Sequence, residues 1–363
     1  MDNIFDYLKW RGDLNFDSVP ISVEDVAVLA QLSYCPFEDL EEIDYKGRTL
    51  HDLNTIIYYQ GEPKSKFDWV KNTYTLWKNL PNYPRFLDIK LIDFVYKNSK
   101  EIDEQFAVAS FEVGDTVVVA FRGTDLSISG WKESINMGRD ELVPGQEDAI
   151  KYINSIDKKY ENIIICGHSK GGNLALYAAT YAINKKRIKR VYNFDGPGVH
   201  TNTHESREWK KISDRILSII PKSSLVGVLM GYSADYKVVN SNALTGVSQH
   251  DIFTWVFDGP HFSYTDRTTT LSQLTSEVMH DFIADSTDQE RGILINMISK
   301  VLDASEADST ENLAGSMLVN LGKIGHINKN LTDEEKDVLR KLKSKLTEDG
   351  LMQIKNFIQN IKS

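Results

Sequence analysis

One segment near the middle of the chain constrains the fold more than any other, because it joins an apolar run directly to a helical pattern. Residues 161–166 (ENIIIC) form a short β-branched run, and the glycine-rich residues 167–171 (GHSKG) follow it at once. Small residues, among them Gly172 and Ala175, then open the helical pattern. A continuous apolar strand that leads into a helix is typical of a parallel sheet covered on both faces.

The same alternation recurs on either side of this segment. The runs 115–121, 190–194 and 215–220 end at Arg-Gly-Thr, at Asp-Gly-Pro-Gly and at a proline, respectively. Helical patterns separate several of these runs. We therefore predict an α/β protein with a mostly parallel sheet and helices on both of its faces.

The two ends of the chain differ from this middle part. Residues 23–34 and 67–80 have apolar side chains at helical spacing, which predicts helices that pack beside or over a core. Strand patterns end at about residue 266, and Thr332 with Glu335 forms a capping-box pattern that opens a late helix. The predicted division is a domain over 1–265, with a helical N-terminal part (1–104) and a core (105–265), and a helical C-terminal extension over 266–363.

Ser169 lies at the centre of the glycine-rich turn, where a nucleophile would be well presented. A serine hydroxyl reacts poorly at neutral pH unless it has a base, a fixed orientation and donors for the developing oxyanion. A sharp strand-to-helix turn points Oγ above the sheet, and Gly167 and Gly171 let strand and helix approach. We therefore predict an α/β-hydrolase fold with Ser169 as nucleophile and His168 in a structural role. The alternatives are a serine in the turn of an unrelated α/β fold and an inactive hydrolase relative.

Two blocks of the sequence resemble lipase-type α/β-hydrolases, and most closely the fungal-type triacylglycerol lipases. Residues 120–124 (AFRGT), with Trp131 seven residues later, are similar to the strand-end Phe-Arg-Gly-Ser/Thr segment of those lipases. The second block is the serine turn, where that family usually has leucine instead of Lys170. An uncharacterised group of bacterial lipase-like proteins shares the Gly-His-Ser-Lys-Gly-Gly turn and a downstream Gln-His-Asp segment. The resemblance covers about residues 105–265, and it implies that the backbone N–H groups of Thr124 and Lys170 form the oxyanion hole.

The catalytic base is expected downstream of Ser169, because triads in this fold run nucleophile, acid, histidine along the chain. We prefer His250 within residues 248–251 (SQHD). The lipases that the chain resembles place their histidine in a similar loop, followed after a few residues by a tryptophan, here Trp255. His261 is the second choice because it also follows a predicted strand end.

The orienting acid is predicted to be Asp195, at the carboxyl end of the run 190–194. Residues 194–197 (FDGP) resemble the acid site of pancreatic-type lipases, which take this residue one strand earlier than most of the fold. The more usual position, residues 222–224, contains no carboxylate. Asp235 is the main rival, and a turn residue that caps a backbone amide is the alternative role for Asp195.

Composition narrows the possible partners. The net charge of −10 opposes binding to nucleic acid and to anionic membranes. The first residues do not resemble a secretory signal, and the apolar stretches are too short to span a bilayer as a helix. Cys35 and Cys166 offer neither a disulfide framework nor a metal cluster. We expect a cytoplasmic protein without cofactor or metal, and the sequence leaves its oligomeric state open.

The leading hypothesis is a serine hydrolase that cleaves acyl esters through Ser169, His250 and Asp195. The lipase resemblance favours lipid-type or carboxyl esters, whereas a thioesterase or an acyltransferase would need the same residues. A catalytically inactive binding or scaffold protein is the competing class, because the usual acid position lacks a carboxylate. Lys170 would suit an anionic acyl group, although we expect a solvated side chain on the helix.

Overall fold

The computed structural model describes most of the chain. The described residues are 2–40, 43–58, 68–99, 104–124, 142–228, 235–244, 246–287, 289–290, 292–294, 297 and 331–346. Trp131, which belongs to the lipase resemblance, lies outside these ranges, as does most of the predicted C-terminal extension.

Within the described residues, nine strands form one mixed sheet in the order β1-β2-β3-β4-β5-β6-β7-β8-β11, and β9 pairs with β10 in a separate ribbon. The strands are β1 (Arg48–Thr49), β2 (Lys90–Ser99), β3 (Glu104–Val113), β4 (Thr116–Phe121), β5 (Asn162–His168), β6 (Ile188–Phe194), β7 (Ile216–Pro221), β8 (Tyr236–Val239), β9 (Phe257–Asp258), β10 (His261–Phe262) and β11 (Tyr264–Thr265).

The centre of the sheet is parallel and its margins are antiparallel. Strands β4 to β8 pair in parallel, with Val119 opposite Ile165 and Ile165 opposite Val191. Strands β2 to β4 form an antiparallel meander, β1 pairs antiparallel with β2, and β11 pairs antiparallel with β8. The predicted α/β-hydrolase fold is therefore confirmed. The sequence analysis did not anticipate β2 and β3, which begin within the part expected to be helical.

Helices connect and cover these strands. They are α1 (Ile4–Arg11), α2 (Val23–Leu32), α3 (Leu50–Tyr58), α4 (Asp68–Asn79), α5 (Pro84–Leu87), α6 (Pro144–Ser155), α7 (Lys170–Tyr181), α8 (Thr201–Glu205), α9 (Arg207–Lys210), α10 (Gly246–Gln249), α11 (Thr270–Asp285) and α12 (Asp333–Ser344), with short 3₁₀ turns between some of them. Helices α2 and α4 confirm the two helices predicted over 23–34 and 67–80.

Alternate residues of the central strands bury opposite faces of the sheet. Val118 and Ala120 of β4 belong to one core, which the N-terminal helices α1 and α2 complete. Val117 and Val119 belong to a second core, against α6 and α7. Because side chains alternate along a strand, this two-sided burial accounts for the unbroken apolar runs in the sequence.

The described C-terminal helices form an apolar cluster of their own. Val278 and Phe282 of α11 pack with Val338 and Leu342 of α12. Thr332 caps α12 in the predicted capping box, accepting from the Glu335 N–H at 3.2 Å while the Glu335 carboxylate accepts from the Thr332 N–H at 2.9 Å. Among the helices described, none has the length and apolar character that crossing a membrane requires.

Candidate catalytic site

Ser169 occupies the turn between β5 and α7. Its backbone has φ of 58° and ψ of −131°, and α7 begins at the next residue. The turn is tight enough that a Cβ on Gly167 would lie 2.1 Å from the carbonyl oxygen of Gly171. The Ser169 N–H donates to the Phe194 carbonyl at 3.0 Å, which ties the turn to the end of the neighbouring strand β6. This is the geometry that a nucleophile elbow requires.

Backbone strain is concentrated at this edge of the sheet. Of the non-glycine residues that the structure describes, Ser169 and Asp195 are the two with positive φ, at 58° and 46°. They follow neighbouring parallel strands, β5 and β6, at the carboxyl edge where α/β folds bind ligands. Such conformations cost about 1–3 kcal/mol each and cluster at functional sites.

Asp195 and His250 form a hydrogen-bonded pair although 55 residues separate them in sequence. Asp195 Oδ2 lies 2.7 Å from His250 Nδ1, and the carboxylate side chain is fully buried whereas the imidazole is 20% exposed. Asp195 Oδ1 accepts from the Ser224 hydroxyl at 2.5 Å and from the Gly227 N–H at 3.1 Å. Burial raises the pKa of Asp195, and the hydrogen bonds from His250, Ser224 and Gly227 act in the opposite direction.

The partner of Nδ1 determines what the other ring nitrogen of His250 can do. An ionised carboxylate only accepts hydrogen bonds, so Nδ1 carries the hydrogen and Nε2 of the neutral ring is left as an acceptor. Among the described side chains, no hydrogen bond joins Ser169 Oγ to this nitrogen. Catalytic hydrogen bonds are often long without substrate and tighten in the complex.

His168 is buried, and its ring lies close to that of His250. Its ring centroid lies 4.5 Å from that of His250, and its Nε2 lies 2.8 Å from the His250 carbonyl oxygen. Its Nδ1 lies 3.1 Å from the hydroxyl of Tyr34. Burial, together with the nearby imidazole of His250, lowers the pKa of His168 well below its usual range. His168 therefore connects elements around the site as a neutral ring.

Thr124 and Lys170 flank the serine on two sides. Thr124 follows Gly123, and a Cβ on Gly123 would lie 3.0 Å from Ser169 Cβ and 2.2 Å from the Tyr34 hydroxyl. The Gly123 N–H donates to that hydroxyl at 3.1 Å. Lys170 is the first residue of α7, at the positive end of the helix dipole.

The side chain of Lys170 corrects one expectation. We expected a solvated lysine, but this side chain is only 1% exposed. Its Nζ donates to the Gln105 carbonyl of β3 at 2.5 Å. Because helical side chains tilt toward the helix N-terminus, a lysine in the first turn is directed back to the sheet rather than into water.

The structure separates the two rival residues from this cluster. Asp235 is exposed and precedes β8, so it lies at the amino edge of the parallel strands, opposite Asp195. His261 is exposed in β10 and lies 3.6 Å from Glu24. By contrast, Ser169, Asp195 and His250 lie together at the carboxyl edge.

Three residues at the site were not singled out from the sequence. Tyr34 contacts Gly123 and His168, and Ser224 donates to Asp195. Arg122 donates to the carbonyl oxygens of Ser33 and Cys35 at 2.5 and 2.6 Å, and so holds the backbone on both sides of Tyr34. The arginine of the Phe-Arg-Gly-Thr block was visible in the sequence, but its partners lie almost 90 residues away. No group of three metal-binding side chains occurs in the part of the chain that the structure describes.

Comparison with solved structures returns lipases. A lipase named M37 aligns at 15% identity with a TM-score of 0.36, over 56% of this chain and 69% of that chain. A triacylglycerol lipase from Penicillium expansum aligns at 14% identity with a TM-score of 0.30, over 47% and 73% of the two chains. Lip2 lipase from Yarrowia lipolytica aligns at 12% identity with a TM-score of 0.30, over 53% and 78%. With TM-scores this low, any activity has to be inferred from this chain's own residues.

Comparison with protein families gives a firmer result. None of the curated proteins searched matches the chain. The sequence profile described as Mbeg1-like matches residues 80–300, which is more than half of the 363 residues. This match extends from the segment before β2 through the elbow and His250 and into the helical residues that follow the sheet. The chain belongs to the Mbeg1-like family.

Proposed function

We propose that this protein is a serine hydrolase that cleaves acyl esters, with Ser169 as nucleophile, His250 as general base and Asp195 as the orienting acid. The observation that carries the proposal is the 2.7 Å hydrogen bond between His250 Nδ1 and the buried Asp195, beside a serine in a strained strand-to-helix turn. A buried carboxylate paired with a partly exposed histidine is the arrangement that activates a serine in this fold.

In the proposed reaction, Ser169 Oγ attacks the ester carbonyl while its proton passes to His250 Nε2. The imidazolium that forms is stabilised by Asp195, which stays ionised. Collapse of the tetrahedral intermediate breaks the bond to the alcohol, which takes the proton from Nε2, and leaves an acyl group on Ser169. Water then attacks the acyl-enzyme by the same route, releasing the carboxylic acid and restoring the serine.

The oxyanion of each tetrahedral intermediate would be bound by the backbone N–H groups of Thr124 and Lys170. The resemblance of the Phe-Arg-Gly-Thr block to that of the lipases supports Thr124 as the donor on this loop, and Gly123 brings the loop close to the Ser169 side chain. The start of α7 adds the positive end of a helix dipole on the other side. One such donor typically contributes about 3 kcal/mol to lowering the barrier.

A lipid-type or simple carboxyl ester is the substrate class that we favour. The Phe-Arg-Gly-Thr block and the Gly-His-Ser turn are the features that resemble lipases. The burial of Lys170 weakens the case for an anionic acyl group, because the ammonium group is directed to β3 instead of the site. Thioesters and acyl transfer need the same triad, so kinetics rather than geometry must separate them.

A fluorophosphonate probe tests the proposal at its chemical centre. Purified protein is incubated with the probe, and the adduct is located by peptide mass spectrometry. We expect one adduct, on Ser169, that disappears in Ser169→Ala and persists in Ser155→Ala, a control serine whose hydroxyl binds the Tyr152 carbonyl at the end of α6. p-Nitrophenyl esters of increasing chain length, with matched thioesters, then define the preferred acyl group.

The outcome separates the competing classes. Folded protein that forms no adduct with either a small or a long-chain probe would contradict the hydrolase proposal and favour a binding or scaffold protein. An adduct on Ser169 combined with faster acyl transfer to an added alcohol than to water would favour an acyltransferase.

A further inference from the structure

Three hydrogen bonds connect the backbone before Thr124 to the backbone of His250. The Gly123 N–H donates to the Tyr34 hydroxyl at 3.1 Å. That hydroxyl lies 3.1 Å from His168 Nδ1. His168 Nε2 lies 2.8 Å from the His250 carbonyl oxygen. These three hydrogen bonds therefore connect the loop that carries Thr124 to the loop that carries His250.

The direction of each bond follows from the chemistry of its ends. A carbonyl oxygen only accepts, so His168 Nε2 must carry a hydrogen. In a neutral ring Nδ1 is then unprotonated and accepts, which makes the Tyr34 hydroxyl its donor at 3.1 Å. The same hydroxyl reaches the His168 carbonyl only at 3.5 Å. Its oxygen accepts from the Gly123 N–H, so all three bonds run in one direction.

Further contacts hold Tyr34 at one end of these hydrogen bonds and the backbone next to His250 at the other. Arg122 donates to the carbonyl oxygens of Ser33 and Cys35, which leaves Tyr34 little freedom to move. Trp69 of α4 contacts the Tyr34 ring edge-on at a centroid distance of 5.4 Å. At the other end, the indole N–H of Trp255 donates to the Gln249 carbonyl at 2.8 Å and so holds the last residue of α10, directly before His250.

We propose that His168 is a positioning residue that acts as the neutral Nε2–H tautomer. It fixes the position of the His250 backbone directly and, through Tyr34, the position of the loop that carries the oxyanion donor Thr124. This inference rests on the proposed hydrolase function for its kinetic consequences, but not for the tautomer that it assigns. His168 need not touch the substrate, because it acts through the His250 carbonyl and through Tyr34.

The close approach of the two imidazole rings, which are tilted by 32° to each other, gives His168 a reason to stay uncharged. Their centroids are 4.5 Å apart, so a charged His168 would oppose the imidazolium that forms on His250 during acylation. Among the residues that the structure describes, the titratable groups in contact with the His168 ring are His250 and Tyr34, and burial keeps the pKa of His168 low. A neutral donor thus supports the base loop without competing with it for charge.

Two amide variants of His168 test the two ends of this series of hydrogen bonds separately. His168→Gln places an N–H₂ donor near the position of Nε2 and loses the acceptor for Tyr34, whereas His168→Asn keeps an acceptor near Nδ1 and loses the donor to His250. With an ester that wild type hydrolyses, we expect kcat to fall about 50-fold in His168→Asn and about 5-fold in His168→Gln, with KM within threefold of wild type. Equal kcat values for both variants and wild type would overturn the proposal.

Tyr34→Phe tests the same series of hydrogen bonds without a substitution in the Gly-His-Ser turn. We expect kcat to fall about fivefold in the wild-type background and by a smaller factor in the His168→Gln background, where the contact of Tyr34 with residue 168 is already lost and only its bond to Gly123 remains to be removed. Independent, multiplicative effects of the two changes would contradict a shared chain of hydrogen bonds.

A spectroscopic readout keeps this test separate from the fate of the hydrolase proposal. In protein labelled with ¹⁵N-histidine, long-range ¹H–¹⁵N correlation spectra of wild type and His168→Gln identify the His168 signals. We expect the Nε2–H tautomer, unchanged between pH 8 and pH 5. An Nδ1–H tautomer, or protonation of His168 within that range, would overturn the inference even if Ser169 proves reactive. The expected spectrum with an unreactive Ser169 would leave the tautomer intact and defeat only the hydrolase proposal.

Discussion

Two buried carboxylates, Asp25 and Asp195, make an instructive comparison. Asp25 accepts from Arg85 Nε at 2.7 Å and Nη2 at 2.6 Å, and from the Tyr7 hydroxyl at 2.6 Å. Its side chain and that of Arg85 are both fully buried. Asp195 is equally buried and also accepts from a hydroxyl, but its nitrogen partner is the partly exposed imidazole of His250 instead of a guanidinium.

The partner distinguishes the structural carboxylate of Asp25 from the carboxylate of Asp195, which we propose to be catalytic. Arg85 keeps its charge at every physiological pH, and the pair has no open side from which a substrate could be reached. His250 can gain and lose a proton, and it offers a second nitrogen after Asp195 has bound the first. Burial and hydrogen bonding are thus similar in the two clusters, whereas only one of them can transfer a proton.

The largest expected effect is on catalysis by Asp195→Asn. The amide can keep the Ser224 contact, but it no longer holds the Nδ1–H tautomer of His250 or stabilises the imidazolium. We expect ester hydrolysis to fall about 10⁴-fold with little change in the unfolding midpoint. Steady-state kinetics and thermal unfolding of the same preparation check both parts, and a large loss of stability with intact specific activity would reverse the assignment.

The corresponding substitution at the buried pair of Asp25 and Arg85 is Arg85→Met. Removal of the guanidinium leaves the Asp25 carboxylate buried without its cation, so we expect the free energy of unfolding to fall by about 3–5 kcal/mol. Urea unfolding measures this change, and Lys9→Met, which removes an exposed pair with Asp6, should leave the unfolding curve unchanged. A curve for Arg85→Met that matches wild type would show that the pair contributes nothing.

A matched pair of hydroxyl deletions sharpens the comparison. Ser224→Ala and Tyr7→Phe each remove one donor to a buried carboxylate, from 2.5 and 2.6 Å. We expect each to lower the free energy of unfolding by about 1–2 kcal/mol. Only Ser224→Ala should also lower kcat, about tenfold, because the carboxylate that it orients holds the base. Equal kcat losses in the two variants would contradict the division of roles.

An effect confined to acidic solution is a pH dependence of stability that comes from His168. Its pKa is lowered in the folded protein by burial, so below about pH 6.5 the unfolded state binds more protons and stability is lost as pH falls. The contribution of this residue can reach about 1.4 kcal/mol per pH unit. We expect the difference in unfolding free energy between His168→Gln and wild type to shift in favour of the variant from pH 7 to pH 5. A difference that is independent of pH would show that His168 titrates normally.

The sequence predicted the parallel centre of the fold because its strands are buried on both sides. A strand that is buried on both faces, such as the one that begins within residues 161–166, is a nearly continuous run of apolar residues. Each of these runs ends at a turn that contains glycine or proline. Strands β2 and β3 were missed for the opposite reason. They form the antiparallel margin, where charged residues such as Lys90, Asp93 and Lys97 interrupt the apolar pattern.

At the site, the sequence could offer residue types but not their pairing. Ser169 is marked by its own turn, whereas Asp195 and His250 become partners only when β6 and the loop after β8 reach the same edge of the sheet. Ser224 lies in the segment that was noted for lacking a carboxylate, and it supplies a hydroxyl to Asp195 instead. Tyr34 carries no local signal, because its role depends on contacts about 90 and 134 residues away.

The central claim is that the carboxylate of Asp195 activates Ser169 through His250, and the rate of fluorophosphonate inactivation measures this directly. Second-order rate constants are compared for wild type, Asp195→Asn and Tyr7→Phe, each shown to be folded by circular dichroism at the assay temperature. The account predicts a rate at least about 10³-fold lower for Asp195→Asn and a rate within threefold of wild type for Tyr7→Phe. Equal rates for wild type and Asp195→Asn would contradict it.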